Sequence, residues 1–409
     1  MQLYIRMAFR NLFRQKRRTS LTGMTVIGGF VLLSLMVGID EGGYEHIIGL
    51  FTESHTGHIQ AHHPAYAERP SMNDTLPANH KIADQLAGFE KVRGSTTRIR
   101  SGGLAYHEPK SIPVQIVGID IDHEAKLTNI RQRIQQGRYL EASARDEGNY
   151  EALAGANIAR VLNIAIGDEI AVVSQGADGS VANDLFTLVG IVGTDDSADR
   201  QSLYLSLDVA QEFFMMYGKV HEWMIKLGHP SEAQTVARQL QESDIFDQAK
   251  VRPWQELEQE FYQTMQADKK GNRVVNFILV FMISLGVLNT IFMMILERTR
   301  EYGILKALGT RPSIIFGLII LETALLSGIS LIIGMILSLP IHYYLSQHGI
   351  LLQAPIDMGG VYYDRIISMI SPSTIFKPAV YLFTMSILVS LWPAWRASKK
   401  DPLIAMSHV

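Results

Sequence analysis

No cysteine occurs among the 409 residues. A disulfide framework and a cysteine-based metal site are therefore excluded, and any soluble part must hold together by its own core. Several chemical signatures are missing as well. There is no GxxxxGK[ST] phosphate loop, so nucleotide hydrolysis by this chain is not expected. There is no HExxH zinc-protease pair and no GxSxG nucleophile elbow. Strong charge of one sign is also lacking. The formal net charge is -3, which gives no reason to expect nucleic acid.

What is present is an uneven distribution of apolar residues. Met1 to Ser20 contains no acidic residue and carries Arg6, Arg10, Arg14, Lys16, Arg17 and Arg18. Arg6, Arg10, Arg14 and Arg17 recur at helical spacing, which predicts an amphipathic helix over 1–20 at a membrane surface. A cleaved signal peptide is the competing reading, but no clear small-x-small site follows the apolar run. Leu21 to Ile39 is free of charge and long enough to span a bilayer. Its Gly28-Gly29 pair allows close helix packing or a bend. The basic flank before it and Asp40-Glu41 after it put the N-terminus in the cytoplasm, by the positive-inside rule. Further spans are expected at 271–296, 312–341 and 373–395. Lys377 can snorkel at the outer end of the last. Trp392, Trp395, Arg396, Lys399 and Lys400 close its inner end, and a cytoplasmic tail, 396–409, follows. Both termini are then cytoplasmic. An outer loop is expected over 342–372, with Asp357, Gly359-Gly360 and Asp364.

The fold class expected is an α-helical membrane protein with four transmembrane helices and a large inserted α+β extracytoplasmic domain, 41–270. Strands are expected near 57–61, 111–119, 170–173, 185–192, 203–207, 221–227 and 249–252, from their alternation. Helices are expected at 80–89, 155–162 and 231–242. The order suggests one subdomain, 41–120 with 217–253, interrupted by a second at 121–216. Residues 254–270 are polar but helix-compatible, and no proline separates them from Val274. One long helix is predicted to run from Trp254 into the second span.

Between the second and third spans lies ERTREYGILKALG, Glu297 to Gly309. Glu297, Arg298, Arg300, Glu301 and Lys306 give it charge of both signs. Ile304, Leu305, Ala307 and Leu308 give it a small apolar face. Tyr302 and Lys306 are one helical turn apart. Gly309 is placed to end the helix, and Pro312 to begin the next. The segment 297–311 reads as a surface helix offered to a partner, with a solvated interhelical loop as the plainer alternative. Glu322 is the one carboxylate deep in the third apolar run. Such a group is costly in a membrane. Pairing with an arginine or interfacial water is the favoured reading, and a transport role the other. His46, His55, His58, His62 and His63 crowd the start of the insert. They read as hydrogen-bonded or solvated histidines rather than a metal site, because His62 and His63 are adjacent and point oppositely on a strand.

These motifs carry a resemblance. ERTREYGILKALGTRPSIIFGLIILE, Glu297 to Glu322, resembles the signature of FtsX-like ABC-transporter permeases, which include the MacB-type and LolC/LolE-type subunits. WPAWRASKKDPLIAM resembles their C-terminal ending, through Pro393, Ala394, Ala397 and Pro402, and RMAFRNLFRQKRRTSLT resembles their basic N-terminal helix. The resemblance spans essentially the whole chain and is specific at the membrane motifs. It implies a bacterial inner-membrane permease with a MacB-like periplasmic domain and no cofactor of its own. A second permease, in a homo- or heterodimer, and two copies of a separate ATPase holding ATP and Mg are the implied partners. The coupling helix to that ATPase would comprise Glu297, Arg298, Glu301, Tyr302, Gly303, Leu305, Lys306, Leu308 and Gly309. Glu322 falls on the family's third-span glutamate.

No fused ATPase domain is read in the chain, which suits the lipoprotein-releasing layout best. The function expected is mechanotransmission from the ATPase to the outer domain, extracting lipoprotein or another lipophilic cargo. The alternatives are efflux with a periplasmic adaptor, or regulation of an envelope hydrolase.

Overall fold

The structure is a computed structural model. It describes residues 10, 16–52, 56–66, 70–141, 145–146, 149–195, 197–247, 249–357 and 362–400. Arg6, Arg14, His55, Gly359-Gly360 and Pro402 lie outside these. The chain divides into two compact units. One comprises 1–44, 265–353 and 365–409, and the other 45–264 and 354–364.

The described helices are α1 (Lys16–Phe51), α2 (His80–Ala87), α3 (Ile121–Leu127), α4 (Ala156–Leu162), α5 (Leu207–Phe213), α6 (Ala233–Glu242), α7 (Trp254–Leu257), α8 (Gln259–Glu297), α9 (Thr299–Ala307), α10 (Pro312–Gln347) and α11 (Pro372–Lys399). Four of them, α1, α8, α10 and α11, are long and apolar enough to cross a membrane. Their buried stripes meet in one core, which includes Val26, Phe30 and Leu33 of α1, Val287 and Ile291 of α8, Ile315 and Ile319 of α10, and Leu382 and Ala394 of α11. Glycine sets one close approach: a Cβ on Gly29 would lie 2.7 Å from Ile283, whereas Gly28 faces open space. The opposite stripe of α8, through Val274, Phe277, Ile278, Phe281 and Met282, is exposed. An apolar stripe of that size outside a packed core requires lipid or protein against it.

The first span, expected over 21–40, lies within a longer helix that continues to Phe51. The charge at Asp40 does not stop it, because Asp40 is accommodated by α8. Asn272 Nδ2 donates to Asp40 Oδ1 at 3.1 Å and Asn276 Nδ2 to Asp40 Oδ2 at 3.4 Å. One turn further along α1, the Tyr44 hydroxyl donates to Asp268 at 2.5 Å and accepts from Asn272 at 3.0 Å. The helix expected to start at Trp254 is interrupted once, at Glu258 (φ -113°, ψ 55°). The buried Trp254 indole donates to Pro230 O at 3.1 Å and holds the first turn in the outer unit.

The strands are β1 (Ile59–His62), β2 (Leu76–Pro77), β3 (Val92–His107), β4 (Lys110–Ile119), β5 (Ile134–Gly137), β6 (Arg145–Asp146), β7 (Asn149–Gly155), β8 (Glu169–Gln175), β9 (Val181–Val192), β10 (Ser202–Ser206), β11 (Lys219–Val220), β12 (Glu222–Leu227), β13 (Lys250–Pro253), β14 (Ile350–Asp357) and β15 (Tyr362–Ile366). The segment 121–216, expected as an interrupting subdomain, supplies one half of a sheet whose other half comes from 41–120 and 217–253. One sheet runs β13-β1-β12-β3-β4-β10-β7-β9-β5, with β8 against β3 and β9. Its two halves join where β10 pairs parallel with β4, Leu203 opposite Ile116. The joint is possible because β3 is sixteen residues long. Its first half pairs with β12 and its later residues with β8.

Sequence alternation did not reveal β3, because its buried side carries Thr96 and Arg98. Arg98 is the register partner of Glu222 on β12. Its guanidinium makes two bonds to the Glu124 carboxylate of α3 and one of 3.5 Å to Glu222. Arg100 Nε closes the set on Glu222 at 3.1 Å. Burial raises the Glu222 carboxyl, but the Arg100 and Arg98 charges outweigh it, and its pKa lies below the ordinary value.

Candidate functional site

The junction between α8 and α10 is built from both of its ends. The α8 ladder stops at Glu297, and Arg298 turns the chain (φ -96°, ψ 6°) into α9. Thr299 Oγ1 returns to Ile295 O at 3.0 Å, so the turn stays attached to α8. At the far end Gly309 adopts φ +90°, a conformation that glycine takes without a Cβ clash. Its N–H donates to Lys306 O at 2.9 Å, and Thr310 N–H to Leu305 O at 3.0 Å. These bonds satisfy carbonyls that a helix end would otherwise leave open. Pro312 then opens α10.

Two sides of α9 differ in kind. The inner side is pinned. Arg298 Nη1 donates to Glu322 Oε2 of α10 at 2.5 Å, and Arg298 Nε to Glu301 Oε2 at 3.1 Å. The guanidinium lies 5.5 Å from the centre of the buried Tyr302 ring. The Arg298 side chain is 9% exposed and that of Glu322 2%. Lys306 Nζ donates to Lys400 O at 2.7 Å, tying α9 to the end of α11. The expected role of Glu322 as a paired carboxylate therefore has a named partner, Arg298.

The outer side carries Arg300, Ile304, Ala307 and Leu308 in solvent-facing positions, and Arg311, extended at the start of α10, is exposed beyond the turn. The spacing of 300, 304 and 307 follows one helical stripe. Leu308 is 78% exposed and Ile304 45%. Beside them opens a cleft of about 440 Å³, lined by Leu305, Leu308, Arg311, Ile314 and Leu318 among others. An apolar centre flanked by two cations can seat against a partner surface with a hydrophobic socket and acidic rim.

The residues assigned from the sequence to the coupling helix divide between its two sides. Arg298, Tyr302 and Gly303 are buried. The helical repeat turns them toward α10, where Glu322 holds Arg298. Glu301 is half-buried and Glu297 exposed, Leu305 and Lys306 are half-buried, and Leu308 and Gly309 face outward. Arg311 was not singled out from the sequence; the helix ends before it, so no helical period points to it. Pro393, Ala394 and Ala397 are buried on α11, and the helix continues through Pro393.

The histidines of the outer unit are dispersed. The Leu227 N–H donates to His58 Nδ1 at 2.9 Å. His62 pairs with Gln60 at 2.8 Å and stacks on Tyr66. His63 lies 3.3 Å from Asp74, and the His46 ring lies 5.7 Å from that of Tyr363. Burial, followed by the Lys226 charge, lowers the His58 pKa to about 4.

An α+β unit inserted between membrane-length helices, with a pinned surface helix after the second, is the layout of an ABC transporter permease, and the family comparisons assign the chain to that class. Residues 19–243 match the MacB-like periplasmic core domain and residues 273–402 the FtsX-like permease C-terminal domain. The chain belongs to the FtsX-like, MacB-type family of ABC transporter permeases, with a LolC-like layout. It is 23% identical to the uncharacterized ABC transporter permease MJ1507 of Methanocaldococcus jannaschii, over 98% of this chain and 96% of that one. To the lipoprotein-releasing system transmembrane protein LolC of Xylella fastidiosa it is 23% identical, over 86% and 85%. To the macrolide export ATP-binding/permease protein MacB of Syntrophobacter fumaroxidans it is 25% identical, over 40% of this chain and 21% of that one. Members of this family are membrane permeases that work with ATPase partners.

Proposed function

We propose that this permease converts ATP hydrolysis in a separate subunit into movement of its outer unit, and that its cargo is a lipoprotein or another lipophilic molecule of the membrane. The observation that carries the proposal is the two-sided α9. Its outer stripe, Arg300, Ile304, Ala307 and Leu308, is offered outward, with Arg311 exposed at the start of α10. Its inner side is fixed to α10 through Arg298 and Glu322. A partner that displaces α9 therefore displaces α10 rather than deforming a loop. On this reading α1, α8, α10 and α11 all span the membrane, both termini are cytoplasmic, and α9 lies on the cytoplasmic side. Two ATPase copies hold ATP and Mg, and a second permease, identical or not, completes the membrane pair. Helices α1 and α8 extend beyond the bilayer thickness. At 1.5 Å per residue, 39 residues of α8 cover roughly 58 Å, against about 30 Å of hydrocarbon. Such continuity suits transmission along helices without a cargo channel between them. The likeness to LolC favours lipoprotein as cargo; the shorter likeness to MacB makes efflux through a periplasmic adaptor the second reading.

The test is purification of the tagged chain from native membranes in mild detergent, with mass spectrometry of proteins and lipids. An ATPase recovered with acylated lipoproteins supports the first reading. An ATPase with a periplasmic adaptor supports the second. Recovery of no ATPase would overturn the role of α9.

A further inference from the structure

Within the outer unit, a small enclosed cavity sits against the sheet where its two halves join. Its volume is about 100 Å³, and its lining includes Arg98, Arg100, Arg133, Gln115, Ser202 and Tyr204. That is well above the roughly 10–15 Å³ one water requires. The lining is dominated by donors. Glu124 is the one carboxylate in it, and both of its oxygens are engaged by Arg98. Arg98 also contacts Glu222, and Arg100 uses its Nε on the same carboxylate. Arg133 places Nη1 2.8 Å from Asp199. Its Nε is buried and has no hydrogen-bond partner among the described residues. The side chains of the buried Ser202 and Tyr204, and of the exposed Gln115, make no hydrogen bond to another described residue.

Buried donors are rarely left without an acceptor in a native protein. Here the Arg133 Nε and the unengaged Ser202 and Tyr204 hydroxyls line one space, beside three guanidiniums that each also meet a carboxylate: Arg98 meets Glu124, Arg100 meets Glu222 and Arg133 meets Asp199. Planar guanidiniums and hydroxyls are the groups that recognise tetrahedral oxyanions. We propose that this cavity is a binding site for a small oxyanion, a phosphate or sulfate group. The ligand would bridge β4 (Gln115), β10 (Ser202, Tyr204) and the turn carrying Arg133, and so fasten the two halves of the sheet at their joint. The enclosure admits a single such group, either as a free anion or as the terminal phosphate of a larger molecule. This inference is independent of the transport cargo.

Calorimetric titration of the full chain in detergent tests it. The probes are inorganic phosphate and glycerol 3-phosphate, each against chloride at matched ionic strength, because phosphate also stabilises proteins non-specifically. Saturable binding of inorganic phosphate is expected, weakened at least tenfold (about an order of magnitude) in Arg133→Gln and in Tyr204→Phe. Tyr204→Phe and Ser202→Ala keep the test decisive if Arg133→Gln fails to fold. Binding of inorganic phosphate alone assigns the site to a free anion. Binding of both probes assigns it to the phosphate of a larger ligand. Absence of saturable phosphate binding, or binding unchanged in every variant, overturns the proposal.

Discussion

Two buried arginine–glutamate centres, one in each unit, use the same groups for different ends. In the outer unit Arg98 is closed in. Its side chain is 4% exposed, and its carboxylate partners sit on a neighbouring strand and on α3. In the helical unit Arg298 stands at a chain turn. It reaches Glu322 on another helix and the half-exposed Glu301 on its own. The first centre fixes the register of β3 against β12, because a slip of one residue would swing Arg98 to the other face. The second fixes the direction in which a surface helix points. A buried ion pair is weak evidence for stability in itself, but removing one partner of it is costly.

The comparison breaks most severely if Arg98 is removed. Arg98→Ala leaves Glu124 buried without its arginine, while Glu222 keeps only Arg100. A loss of about 3–5 kcal/mol is expected in the outer unit, read by thermal unfolding and by new protease cleavage within 45–264. An unchanged melting profile would show that the centre is dispensable.

Acid separates the two units next. The unfolded chain protonates His58 near 6.5, whereas the folded chain refuses the proton until about 4. Its contribution is complete above about pH 6.5 and is lost as the pH falls toward 4, at most about 3 kcal/mol. Denaturant titrations between pH 7.5 and 4.5 should show this slope for wild type and a flatter one for His58→Gln.

Arg298→Leu is expected to cost less, about 2 kcal/mol, the loss of its charge-assisted hydrogen bonds to Glu322 and Glu301. Its main effect should be on coupling: ATPase stimulation should fall while the outer unit stays folded. Ile304→Asp addresses the opposite side of α9. It should change stability by no more than about 0.5 kcal/mol and yet weaken ATPase co-purification. Retained co-purification would remove the outer stripe from the interface.

The gentlest probe uses the absence of cysteine. In this background Ile304→Cys and Leu308→Cys should react with a maleimide quickly, and Gly303→Cys slowly. Equal rates would contradict the two-sided α9.

How legible this was depended on periodicity. The four long helices were visible because runs such as Val274 to Leu296 carry no charge, and nothing in a soluble core mimics that length. The start of α10 was legible because Gly309 and Pro312 have local conformational requirements. Strand β3 was hidden because its inward positions include Thr96 and Arg98, and polarity at a buried position is explained only by partners far away in sequence, Glu124 and Glu222. The facing of α9 was hidden for a related reason. Arg298, Arg300, Glu301 and Lys306 distribute charge all around the helix, so polarity gives no inside. The contact that decides it, Arg298 with Glu322, spans twenty-four residues.

The polar contacts between α1 and α8 have a consequence of their own. Asp40 and Tyr44 are four residues apart, and so are Asp268, Asn272 and Asn276; each α1 group touches two neighbouring members of the α8 row. The two helices thus carry matching teeth at intervals of about 5.4 Å, one helical turn. A slide of half a tooth strands donors and acceptors on both sides. A slide of a whole tooth sets Asp40 against Asp268 in one direction and against Val280 in the other. The row is therefore keyed to a single register.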